Sequence, residues 1–452
     1  MVNIIRSLVN SRIVSRTTIS LFSRYWLVFV LGFLSAQRFL LSDIYAYFVV
    51  IPLVCMCIAR FRKRISRNNY WALIALLMLI DNGGFVYTET PSWLRYVTWI
   101  LCLGELFASH NFRLNRLIFL LMFLTVPATL AIFNYDMVHF GSLIRDLYVC
   151  GVLVLCIGMD PKSSYDDDSS NVMNALVLFG LGVLLAEFFN SSSIPIGEYA
   201  NYTSIKAIVT LPSVYAIAKK RYLIAILLLP LTIYVLFLYV TRMIFIAYLM
   251  GLAVLLINYF FNNTFIRSTR NITLSSLAVI FYLWVFFTPV ALDSNKFLSL
   301  FYVMLEQDSQ SITELMMLVD LVRFYEFKMI FDSSLFNIIF GHGLGMSYAD
   351  INGYLNFLGP FAPDAYSEAE TRSGIYYNFH EIWVDVGYRF GLPVVVICAL
   401  LIFPRFKSKD SDMMVLRIFM ITIFVCSFWS TSGALFMCFL VRLLKTSMQS
   451  YD

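Results

Sequence analysis

The 452-residue chain is 60% hydrophobic and 13% charged, about half the charged fraction of an ordinary soluble domain, which excludes water as its main solvent. Its formal charge of +5 is carried by short basic clusters between apolar runs, so it reads as topology signalling and not as a nucleic-acid-binding surface. The eight cysteines (55, 57, 102, 150, 156, 398, 426 and 438) fall inside apolar runs without a Cys-x-x-Cys pair, so neither a disulfide framework nor a zinc site is expected.

Apolar runs of about 16 to 20 residues recur along the chain, enough to carry a helix across a hydrocarbon core of about 30 Å. Lipid cannot satisfy backbone N–H and C=O groups, so these runs are expected to be helices and not open strands. The alternating pattern of an outer-membrane barrel is absent. The expected fold is all-α, a polytopic bundle of about 12 to 14 spans. Starts fall near Tyr25, Ile44, Trp71, Leu94, Leu117, Leu143, Val172, Ile205, Tyr222, Met243, Ile272, Glu381, Met413 and Ala434. Arg6, Arg12, Arg16 and Arg24 precede the first of these, reading as a cytoplasmic tail and signal anchor.

Basic clusters follow alternate spans: Arg60 to Arg67, Arg113 and Arg116, Lys219 to Arg221, Arg267 and Arg270, and Arg405 to Lys409. The positive-inside rule then puts both termini in the cytoplasm. It puts outside the loops Asp81 to Ser92, Asn134 to Ser142 and Asn190 to Thr203, the turn at Thr241 and Arg242, and a long segment from Ala291. The expected division is N-terminal spans over 1–290, a large outer loop over 291–380 and C-terminal spans over 381–452. That loop is acidic, its basic residues being Lys296, Arg323, Lys328 and Arg372, and a connection so long points to function.

Within it, Ser311-Ile-Thr-Glu314 is a capping box. Leu315, Leu318, Val322, Tyr325 and Met329 follow at helical spacing, predicting an amphipathic helix from Ser311 to about Phe331 on the outer face of the bundle. A second, short helix from Ser333 should stop at Gly341, where Gly-His-Gly-Leu-Gly345 permits a tight turn.

Several charged residues are candidate site groups. Arg242 stands in a very short outer turn, against the positive-inside bias; its guanidinium either binds a phosphate bidentately or snorkels to lipid headgroups. Arg323, with Asp320 and Glu326 three residues to either side, also reads as an intrahelical ion pair. His380, after Tyr376-Tyr377-Asn378-Phe379 and before Glu381, is placed for a base or phosphate donor, or for an interfacial histidine. His342 is either a secondary ligand of the substrate or a polar filler of the glycine turn. Asp81, Arg95, Arg145, Asp146 and Glu187 lie within or at the outer ends of spans, where an isolated charge costs about 2.5 to 3.5 kcal/mol; they should pair or line an outward polar cavity. Asp166-Asp167-Asp168 reads as a solvated loop and not as a metal site.

The order of Arg242 before an apolar span, Arg323 in the loop helix, Gly341-His-Gly-Leu-Gly345, His380, and Gly387 to Gly391-Leu-Pro393 resembles the O-antigen ligase and Wzy-type polymerase superfamily. The resemblance covers about Thr241 to Phe403. Two positions depart from it: Glu381 stands where Asn is common, and the glycine pattern is stretched to Gly387-Tyr-Arg-Phe-Gly391.

The resemblance implies a bacterial inner-membrane enzyme without cofactor or metal, a metal-independent, inverting glycosyltransferase acting on the periplasmic face. The donor would be a saccharide on undecaprenyl diphosphate. Arg242 and Arg323 would hold the diphosphate, and His380 would deprotonate the attacking hydroxyl or share that grip. His342, Arg145 and Arg95 are secondary candidates. Partners would be membrane lipids, a chain-length regulator and a flippase, with no nucleic acid. A polymerase of O-antigen or capsule repeat units is preferred for its span count and for Glu381. A ligase to lipid A-core stays open, and a lipid-linked oligosaccharide flippase is the rival from another class.

Overall fold

A computed structural model of the chain describes residues 26–34, 36, 100–101, 104, 110–112, 114–161, 169–191, 206–238, 244, 247–249, 251–255, 321–355, 366, 368–379, 382–402, 411–426, 436–437 and 439–441. The described part is predominantly helical, in line with an all-α chain. The expected spans near Ile44, Trp71 and Ile272, and the capping box at Ser311, lie outside the described residues.

After a helical segment at 26–34, the first long continuous stretch is a helical hairpin. α1 (Leu114–Phe133) and α2 (Phe140–Gly158) are flanked by two short strands, β1 (His110–Phe112) and β2 (Met159–Pro161), paired antiparallel with Asn111 opposite Asp160. This ribbon, and a second one described below, are extended elements that the apolar pattern does not announce; three residues are too few for a period of two to register. A 3-10 turn, Tyr135–Met137, closes the other end of the hairpin.

α3 (Ser169–Ser191), a 3-10 segment Lys206–Thr210, α4 (Leu211–Ala218) and α5 (Tyr222–Leu238) follow, and α11 (Ser411–Cys426) packs among them. Leu176, Phe179 and Leu184 of α3, Leu211 of α4, Val235 of α5 and Val415, Met420 and Ile423 of α11 form the heart of the main core. Gly180 lets α3 meet the 3-10 segment closely, since a Cβ there would lie 2.6 Å from Ile208 O. Among the described residues, α3 is the one helix long and apolar enough to cross a membrane, judged by length and composition.

The loop region contributes α6 (Leu321–Phe331), α7 (Leu335–Phe340), α8 (Glu368–Ser373) and the strand pair β3 (Tyr348–Ala349) and β4 (Ile375–Tyr376), with Tyr348 opposite Tyr376. α7 starts one residue later than its serine signal suggests. Ser334 is the cap, its hydroxyl accepting from Asn337 N, and Gly341 ends the helix at φ +79°. Leu335, Phe336, Ile339 and Phe340 are all exposed.

The apolar run expected to start at Glu381 is two helices, α9 (Ile382–Phe390) and α10 (Leu392–Ile402). Gly391 makes the break with φ +88°, and a Cβ there would fall 2.1 Å from Ile339 O. Close backbone approach by α7 therefore requires glycine at this position. A second, aromatic core (Met329, Ile330, Met346, Tyr366, Tyr376, Phe379, Tyr388) joins α6, the glycine turn, β4 and α9.

Candidate functional site

Three loop segments converge on α9. α6, whose backbone carries Arg323, packs along it; a Cβ on Gly387 would lie 3.4 Å from Ile330 Cδ1 of α6. The glycine turn is tied to the end of α9 by His342 N donating to Tyr388 O (2.8 Å) and Gly343 N to Arg389 O (3.1 Å). It is tied to the α1–α2 hairpin by Leu344 N donating to Pro127 O (3.1 Å), His139 N to Gly345 O (2.9 Å) and Ser347 N to Met137 O (2.9 Å). The third segment is Tyr376 to Phe379, which leads in sequence to His380.

A buried charge cluster lies where these segments meet. Asp146 of α2 and Asp385 and Arg389 of α9 are fully or almost fully buried. Arg389 Nη1 lies 3.0 Å from Asp146 Oδ2 and donates to Met346 O at 3.1 Å. Its Nη2 donates to Asp385 Oδ1 at 3.1 Å and to Tyr377 O at 2.8 Å. Asp146 Oδ2 also accepts from Gly345 N (2.8 Å), while its Oδ1 accepts from Arg145 Nε (3.2 Å) and Nη2 (3.1 Å). Arg145 Nη1 donates to Asn378 Oδ1. Arg145, with 15% of its side chain accessible, is the cluster member that reaches solvent. Burial of this kind is tolerable because opposite charges and hydrogen bonds compensate each other.

Compared with known proteins, the chain matches no family model, no curated protein and no solved structure.

Of the candidate site residues read from the sequence, Arg242, Arg95 and His380 lie outside the described residues, as do Asp81 and the side chain of Arg323. Arg145 and Asp146, two of the five charges expected to pair or to line an outward polar cavity, are paired with each other. Glu187 is fully buried in α3. Glu326, a candidate partner of Arg323, is buried and accepts a hydrogen bond from the Tyr366 hydroxyl. His342 faces inward: Nε2 is 3.0 Å from Ser333 Oγ and the ring stacks on Tyr388 at 4.1 Å. Burial pushes its imidazole down to about 4, so it is neutral near pH 7.

Three participants escape the sequence reading. Asp385 and Arg389 were masked by the glycine pattern around them; the signal that could have found them is a carboxylate and a guanidinium four residues apart within an apolar run. His139 is the third. It is exposed at the start of α2, its Nδ1 accepting from Ser142 N (3.3 Å) as a helix cap. Its ring stacks on Tyr377 at 4.0 Å. Ser142 Oγ completes this edge, 3.5 Å from Tyr377 O.

The strand segment is thus held on several sides. Tyr377 N donates to Glu370 Oε1 (2.9 Å), its carbonyl meets Arg389 and Ser142, and Asn378 meets Arg145. Among the described residues there is no group of three or more His, Cys, Asp or Glu placed to hold a metal ion.

Proposed function

We propose that this chain is a polytopic inner-membrane polymerase of surface polysaccharide. It transfers an undecaprenyl-diphosphate-linked glycan to a lipid-linked acceptor on the periplasmic face, with both termini in the cytoplasm. The observation that carries the reading is the convergence on α9 of three segments of the outer-loop region: the Arg323 helix, the Gly341 to Gly345 turn and the strand entering His380. These are the segments on which the resemblance to the O-antigen ligase and Wzy superfamily rests. The span-length apolar α3 and the exposed apolar side chains of α1, α7 and α10 support the membrane setting, since large apolar faces in water are rare.

The chemistry suits these residues. As the anomeric bond breaks, the leaving lipid diphosphate gains negative charge, which Arg242 and Arg323 neutralise through paired N–H donors. His380 takes the proton of the attacking sugar hydroxyl as the new glycosidic bond forms on the opposite face of the anomeric carbon. The outer loop covers the reacting sugars and limits attack by water.

The test is a gel of surface polysaccharide from a strain lacking this chain. Single repeat units on the surface are the expected result. Loss of all attached polysaccharide with accumulation of lipid-linked polymer replaces the reading with a ligase. Lipid-linked single units trapped on the cytoplasmic face replace it with a flippase.

A further inference from the structure

Arg389 is 1% exposed and cannot itself touch a substrate, yet its hydrogen bonds reach two separate outer segments. We propose that Arg389 is a positioning residue of the glycosyl-transfer site, fixing the glycine turn and the strand that enters His380 relative to each other and to Arg145. The inference rests on the function proposed above.

The division of labour within the guanidinium carries the argument. Nη1 takes one carboxylate and one carbonyl, Asp146 and Met346 O; Nη2 takes another such pair, Asp385 and Tyr377 O. Met346 follows the glycine turn directly, and Tyr377 precedes His380 by three residues. One planar fork therefore sets the distance between the two segments. Asp146 extends the same frame outward, because the oxygen that does not meet Arg389 holds Arg145, which in turn holds Asn378. Asp385, one turn before Arg389 on α9, fixes the rotamer of the fork. A lysine would restore the positive charge between the two aspartates, but its donors share a single nitrogen and cannot span both carbonyls. Charge balance and positioning therefore make different demands at residue 389.

The experiment uses the full-length chain in membrane vesicles of its own host, supplied with the host's lipid-linked repeat unit at several levels, and reads polymer formed per molecule of protein. Arg389→Lys is expected to reach the membrane in normal amount and to lower the maximal rate by about 100-fold, the cost of a misplacement of about 1 Å. The donor level giving half the maximal rate should not move. Asn378→Ala, which removes only an exposed contact of the same strand, is the second variant and should lower the maximal rate in the same way by a smaller factor.

A wild-type maximal rate in Arg389→Lys overturns the proposal, as does a change confined to the half-saturating donor level. If Arg389→Lys is lost from the membrane, Asn378→Ala decides: a reduced maximal rate supports positioning and a wild-type rate overturns it. Active His380→Ala and Arg323→Ala vesicles would remove the functional reading itself. Inactive ones beside an active Arg389→Lys would remove only the positioning role.

Discussion

Arg389 Nη1 lies 3.0 Å from Asp146 Oδ2, and the two side chains are 1% and 0% exposed. The pair joins α2 to α9 across a long stretch of intervening sequence. Removing both charges from water is costly, so such a pair adds little net stability over a well-packed apolar one, whereas losing one partner strands the other. Arg389→Met leaves Asp146 and Asp385 facing each other without their shared cation, and is expected to cost about 3 to 5 kcal/mol. Asp146→Asn should cost less, since Asp385 still balances Arg389. The double variant should lose less than the sum of the two, because both act on one network. Thermal unfolding of the detergent-solubilised protein measures all three; strictly additive losses would count against a shared network.

Two glycines with positive φ separate conformational cost from collision. Gly374 (φ +65°) has open space where a Cβ would stand, whereas a Cβ on Gly391 (φ +88°) would strike Ile339 O at 2.1 Å. Gly374→Ala should therefore cost only the left-handed penalty of about 1 to 2 kcal/mol. Gly391→Ala must also separate α7 from the α9–α10 break, and should fail to accumulate or unfold at a much lower temperature. Equal behaviour of the two variants in membrane yield and melting would contradict the close approach.

These contrasts follow the line between what was legible in the sequence and what was not. The short helix opened by a serine, read as Ser333 and found one position on at Ser334, the stop at Gly341 and the turn through Gly345 are local: residues within a few positions satisfy or fail to satisfy the backbone, so their types announce the structure. The pairing of Arg145 with Asp146 was legible for the same reason, as two charges side by side in an apolar run. The bond from Asp146 to Arg389 depends on how α2 and α9 come together, and no local signal encodes that. The break at Gly391 has a local signal in Gly391-Leu-Pro393, but that α7 fills the space beside it is tertiary and has none. Arg242, Arg323 and His380 rest on motif order alone, with only the neighbouring backbone of Arg323 and of the strand before His380 placed against α9.

His342 is expected to stay neutral well below pH 6. Its ring is covered by Tyr388 and Ser333, and burial holds its folded pKa at about 4, below the unfolded value of about 6.5. Between those values the unfolded chain binds the extra proton, so stability is fully present above about pH 6.5 and declines as pH falls toward 4. The sequence contains four histidines, so selective 15N labelling gives a readable spectrum. Replacement of His342 by Asn identifies its signal, and titration of that signal near pH 6.5 would contradict the buried placement.

Alanine at Arg242, Arg323 or His380 should each stop chain growth while the protein reaches the membrane in normal amount. In the proposed reaction the donor diphosphate is already anionic and gains a further negative charge as it leaves, so each arginine removal should weaken donor binding and also lower the maximal rate; one lost donor of this type costs about 100- to 1,000-fold in rate. Loss of a general base costs about 100- to 10,000-fold, so His380→Ala should be comparably severe. Because the three act on one transition state, a double variant should be scarcely worse than the worse single one. A lysine at residue 323 should recover part of the rate, since it supplies charge without the bidentate fork. The readout is the ladder of surface polysaccharide, normalised to the amount of protein in the membrane. Wild-type ladders in all three alanine variants would remove these residues from the chemistry. A normal ladder in His380→Ala alone would leave the arginines as a diphosphate site and assign the proton to another group, such as the exposed imidazole of His139 that stacks on Tyr377.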